Sequence, residues 1–140
     1  MNAFAILLLA IPALCAATTV EHREIADLRA RERQLQAAIA EIRWLYRDDR
    51  TFIAAFDTAQ KKWDEYCSAM LEARFPAKKK QEEYGSVFEL AYAVTKLGLM
   101  EARLKDLALW TEGTEEGDVS KGSVKLKSEL DEIRRQEKGG

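Results

Sequence analysis

Charge is missing from the start of this chain. Met1 to Val20 carry no Lys, Arg, Asp or Glu, so all 22 basic and all 24 acidic side chains lie beyond them. An apolar core, Ala3 to Ala10, is followed by Pro12 and then by the small residues Ala13, Ala16 and Ala17. That order reads as a secretory signal peptide, residues 1–17, with cleavage expected after Ala17. The competing reading is an uncleaved anchor, because residues 2–20 approach the ~20 apolar residues that cross a bilayer. The sequence therefore predicts a periplasmic or extracellular chain, with inner-membrane anchoring as the alternative.

Other absences narrow the chemistry. There is one histidine, His22, and no His/Cys cluster, which leaves a zinc or haem site almost without ligands. No metal or cofactor is expected. His22 and Cys67 cannot be assembled into a nucleophile–base pair, and no glycine-rich phosphate loop exists, so the chain does not read as an enzyme. The formal net charge of −2 lacks the basic excess of a nucleic-acid binder. Two prolines and seven glycines among many charged residues favour helix over sheet. Of the two cysteines, Cys15 leaves with the signal, and Cys67 then stands alone. An odd cysteine in an oxidising compartment implies an intermolecular bridge, hence a homodimer, or a free thiol. The alternative is a small buried residue on an apolar helix face.

What is present is helical periodicity. Ile25, Leu28, Leu35, Ile39, Ile42 and Tyr46 recur at spacings of three, four or seven, an apolar stripe interrupted by Glu32. Asp27 and Arg31 have i,i+4 ion-pair spacing. The polar run Arg47 to Thr51 can break the helix, with Asp49 or Thr51 as cap. Yet Ile53, Phe56, Gln60, Trp63, Cys67 and Met70 continue the phase, so one helix over 22–74 and two helices bent near 49 both fit. Phe75-Pro76 ends this segment. Ser86-x-x-Glu89 has capping-box spacing and opens a helix from Val87 to about Trp110. Its expected stripe is Val87, Leu90, Val94, Leu97, Leu104 and Leu107, with Ala91, Gly98 and Ala102 alongside for close packing. Thr111 to Gly122 reads as a turn region, and Ser123 to Glu137 as a short helix using Leu126, Leu130 and Ile133. The fold class is all-α: an antiparallel helical hairpin or small bundle with a long N-terminal amphipathic helix and a short C-terminal one.

One ordered set of residues carries a resemblance. Gln60, Trp63 and Cys67 share a helix face; Tyr84-Gly85-Ser86 follows, then Arg103 in a second helix, then Glu116-Gly117-Asp118. This pattern resembles the secreted helical family named for the lysozyme inhibitor LprI, in its N-terminal domain, over roughly residues 50–120. The family's second cysteine is absent here, since Val87 to Thr95 offers no partner for Cys67. The implied organisation is an amphipathic extension over 18–49, the family-like domain over 50–120 and a weakly helical tail over 121–140. Gln60, Trp63, Cys67 and Arg103 are expected to be structural: Trp63 fills the core, Gln60 serves its indole or a backbone group, and Arg103 pairs with Asp64, Glu65 or a carbonyl.

The resemblance implies an envelope-localised binding module that inhibits a lysozyme-type enzyme. Lys78, Lys79, Lys80, Tyr84, Gly85 and Ser86 are the candidate partner-binding loop, inserted toward the carboxylates of a lytic cleft. The alternative is a coiled-coil structural or interaction protein of the envelope, membrane-anchored or dimeric through Cys67 or the N-terminal helix. Glu32, Tyr46, Asp49 and Gln60 suit a long two-stranded seam poorly. Packing of the N-terminal stripe against Val87 to Leu107 within one chain suits them better.

Overall fold

A computed structural model describes residues 11–116 and 119–139, the side chains of 11–22, 119 and 138 apart. The leader residues 1–10 lie outside the described region, as do Gly117 and Asp118 of the acidic stretch. Five helices follow in order: α1 (Ile11–Leu45), α2 (Arg50–Arg74), the single-turn α3 (Lys80–Tyr84), α4 (Phe88–Glu112) and α5 (Lys127–Lys138). Among the described residues there is no strand; one isolated parallel bridge joins Thr114 to Leu126. The chain is the all-α bundle its periodicity predicts.

The polar run after α1 breaks the helix. Asp49 caps α2 by accepting from the Phe52 N–H at 2.9 Å, a terminus that satisfies one of the orphan donors. The reversal makes α1 and α2 antiparallel, tied by Arg43 to Asp57 at 2.7 Å. Phe75 ends α2 with its N–H on the Leu71 carbonyl. α4 returns antiparallel to α2, since Phe75 meets Phe88 at one end and Phe52 meets Trp110 at the other. It thus runs parallel to α1, with Glu32 on Lys96 and Tyr46 beside Trp110. The α1 stripe is spent inside the chain. Leu35, Ile39, Ile42 and Tyr46 are buried together with Leu45, Met100 and Leu107, so α1 is a wall of the bundle, with its packing on α4 as expected.

Several expectations of phase change. On α2 the inward residues are Phe52, Phe56, Gln60, Cys67 and Leu71, while Met70 is exposed. On α4 they are Phe88, Ala93, Met100 and Leu107; Val87 and Val94 face out. The reason is compositional: α4 is apolar on both sides, so periodicity alone does not select the core face. The Ser86 capping box does not form. Gly85, at φ 70°, starts a 3₁₀ turn over Gly85–Val87, and α4 begins at Phe88 with no side-chain cap. Gly98 meets no intramolecular neighbour within 4 Å, so no packing within the chain demands it. Arg31 bonds Gln34 and Glu101 rather than Asp27.

The end of the bundle at the α1–α2 turn is closed by α5. Gly113 caps α4 at φ 77°, and a Cβ there would lie 2.9 Å from Leu130 Cδ1 and 3.0 Å from the Lys125 carbonyl. Only glycine fits. Thr114 then exchanges backbone hydrogen bonds with Lys125 and Lys127, which folds α5 back so that Leu130 is fully buried. Glu129 accepts from the Leu126 N–H at the α5 start, and Arg134 ties α5 to Glu41 and to the Thr111 carbonyl.

Candidate functional site

Aromatic packing is dense at the closed end. The ring centroids of Tyr46 and Phe52 lie 4.3 Å apart, and those of Phe52 and Trp110 4.9 Å apart. The Tyr46 hydroxyl accepts from the Lys125 N–H at 2.9 Å. Burial raises the Tyr46 pKa, the Lys125 hydrogen bond opposes that, and Glu129 adds to it. A buried phenol with its one polar atom satisfied is a structural anchor.

Below this, a groove of about 510 Å³ lies between α1 and α2 with α4 as its floor. Glu32, Leu35 and Gln36 line it from α1, Trp63, Asp64, Cys67, Ser68 and Leu71 from α2, and Tyr92, Lys96 and Met100 from α4. Leu35, Cys67, Leu71 and Met100 are buried at its base, Glu32, Asp64 and Lys96 put charge on its rim, and its accessible lining is more polar than apolar. Glu32, the residue that interrupts the α1 stripe, accepts from Lys96 across the groove at 2.7 Å.

The four family-pattern residues gather beside this groove. Gln60, a buried polar residue, accepts through Oε1 from Arg103 Nη2. The Arg103 guanidinium lies over the Trp63 ring, 5.9 Å from its centroid. Gln60 therefore serves Arg103 rather than the Trp63 indole, and Arg103 pairs with an amide rather than with Asp64, Glu65 or a carbonyl. Burial lowers the Arg103 pKa; Asp106 and Asp64 push the other way. Its Nε is buried without a hydrogen-bond partner. Cys67 is a free thiol, 8% exposed. Burial, followed by Asp64, raises its pKa against the opposing pull of Lys96 and Arg103, which disfavours the thiolate needed for reaction. Within the chain Cys67 sits as a small buried residue on an apolar helix face does.

The expected partner loop is brought together but put to structural use. Lys79 pairs with Glu82 at 2.9 Å. Lys80 bonds Glu72, the Phe75 carbonyl and the Ala77 carbonyl, capping the end of α2. The Tyr84 hydroxyl accepts from the Ala77 N–H, and its ring packs on Phe75 and Phe88. Lys78 and Ser86 are exposed, and half-buried Gly85 supplies the positive φ. The groove itself was not foreseen; its only sequence signal is Glu32 breaking an otherwise apolar stripe.

Among the described residues, no three His, Cys, Asp or Glu side chains are grouped to hold a metal ion. No described helix is long and apolar enough to cross a membrane. Comparison with protein-family models, with curated proteins and with solved structures finds no match for the chain.

Proposed function

We propose that this chain is an exported helical binding module of the cell envelope, and that the groove between α1 and α2 receives a segment of a protein partner. The observation that carries this reading is the groove between α1 and α2, with buried apolar side chains at its base and charges on its rim. The uncharged leader supports export. Cleavage after Ala17 is compatible with the fold, because among the described side chains of α1 the first packed on the core is Leu28. The resemblance to lysozyme inhibitors supplies the partner class, a lysozyme-type enzyme of cell-wall lysis.

The experiment is a turbidity assay with purified chain at micromolar concentration. The chain slows lysis, and Ser68→Trp, which fills the groove from an exposed position, abolishes the effect while Lys78→Ala leaves it intact. An unchanged lysis rate with wild-type protein removes the lysozyme reading. Inhibition lost with Lys78→Ala but retained with Ser68→Trp moves the site back to the loop. Mass measurement of the exported chain tests the leader: loss of residues 1–17 is expected, and an intact 140-residue product in the cytoplasm contradicts export.

A further inference from the structure

Arg103 holds a half-buried charge that no contact neutralises. Its guanidinium offers five N–H donors. One goes from Nη2 to the neutral amide oxygen of Gln60. Nε is buried and unmet, and Nη1, with no partner among the described residues, remains accessible. No described carboxylate forms an ion pair with Arg103; Asp106 and Asp64 act on it only at longer range. The Trp63 ring centroid lies 5.9 Å away, near the limit of cation–π attraction. A charge taken from water without a counter-ion costs stability, and an apolar side chain of similar length fills such a place without that cost. Packing therefore does not account for an arginine at this position.

The groove leads to this guanidinium. Lys96, Met100 and Arg103 lie four and three residues apart, so they form one stripe along α4. Lys96 and Met100 belong to the groove floor, and Trp63, beneath the guanidinium, lines the α2 wall. Arg103 thus stands at the head of the groove, on the side of the closed end, and its charge is felt at Cys67 in the base. The two cations of the stripe differ. Lys96 has a carboxylate, Glu32, at 2.7 Å, and Arg103 has none. A ligand lying along the groove meets its one uncontacted cation at that head.

We infer that Arg103 receives a carboxylate side chain, an aspartate or glutamate, of the protein segment that occupies the groove. The inference rests on the groove reading above and names the chemistry of its occupant. Pairing of arginine with carboxylate is charge-assisted and stronger than its bond to a neutral amide. The carboxylate takes the open Nη1 and supplies the missing counter-charge, while Nη2 stays on Gln60. An apolar neighbour in the same segment rests on Trp63 and Met100.

NMR titration with two blocked pentapeptides, Ala-Leu-Glu-Leu-Ala and Ala-Leu-Gln-Leu-Ala, tests it. The Arg103 side-chain N–H signals, identified by their loss in Arg103→Lys, shift with the glutamate peptide at about millimolar concentration. The glutamine peptide binds at least about tenfold more weakly. Ser68→Trp, which fills the groove and leaves Arg103 in place, removes the shift. Arg103→Lys keeps the helical circular dichroism and loses at least about tenfold in affinity for the glutamate peptide. Equal binding of the two peptides, no response up to about 10 mM, or a shift that survives Ser68→Trp overturns the proposal. Inorganic phosphate that matches the glutamate peptide overturns it too, since the site then takes any anion. Glutamate-selective binding without slowed lysis upholds this inference and removes only the lysozyme partner. Slowed lysis with Arg103 signals indifferent to glutamate removes this inference and leaves that partner.

Discussion

The two ends of the bundle solve the same packing problem differently. At the closed end, α1, α2, α4 and α5 converge on Tyr46, Phe52, Trp110, Leu107 and Leu130, and the buried Tyr46 hydroxyl has its partner. At the other end α2 meets α4 through Phe75, Tyr84, Phe88 and Tyr92, α1 stays on α4 through the Glu32–Lys96 and Arg31–Glu101 pairs, and the groove lies between α1 and α2. The closed end supplies apolar burial and fixes the helices; the other end leaves part of that interior lining a groove, where the proposed binding takes place. Stability and the proposed binding thus fall at opposite ends of the same helices.

The strongest way to break the contrast is at the closed end. Leu130→Ala removes the fully buried anchor of α5 and is expected to cost ~2–5 kcal/mol, measured by urea denaturation. Between the two ends, Arg103→Met strands the buried Gln60 oxygen and should cost ~1–3 kcal/mol. Adding Gln60→Leu removes the orphaned group and should recover most of that loss. Gly113→Ala forces an αL conformation against Leu130 and should cost ~1–2 kcal/mol or more.

Tyr46 sharpens the comparison through pH. Its folded-state pKa is raised, so its contribution is complete below the ordinary phenol value of about 10 and is lost as pH rises through the folded value. Tyr46→Phe is less stable at neutral pH, by ~0.5–1.5 kcal/mol for the lost acceptor. Above about pH 10 the gap closes, because phenylalanine cannot ionise. Thermal unfolding at pH 7 and at alkaline pH measures both. The smallest effect belongs to the groove rim: Glu32→Gln, breaking a partly exposed pair with Lys96, should cost no more than ~1 kcal/mol.

The closed end was also the more legible in the sequence. The α1 stripe from Leu35 to Tyr46 has one apolar face that its period identified, and the polar residues in its phase, Glu32, Asp49 and Gln60 among them, pointed to packing within the chain. Leu130 and Ile133 were found in the same way. α4 was misread because Val87 and Val94 satisfy helical spacing as well as Phe88 and Ala93 do; which side is buried depends on where α1 and α2 lie. α2 slipped by one residue, from Met70 to Leu71, because both are apolar. Gln60 and Arg103 stand 43 residues apart, and no local pattern pairs them. The Lys80 cap depends on the carbonyls of Phe75 and Ala77 turning toward it after Pro76, a tertiary consequence that the lysine run does not encode. The groove is lined from three helices, α1, α2 and α4, a tertiary arrangement that composition does not record.

Native-state hydrogen exchange tests the division of the bundle most directly. Amides of Ile39–Leu45 and Leu104–Trp110 should exchange most slowly, at least about tenfold behind those of Glu24–Leu28 and Glu65–Leu71, which border the open end. Equal protection along α1 and α2 would contradict the account.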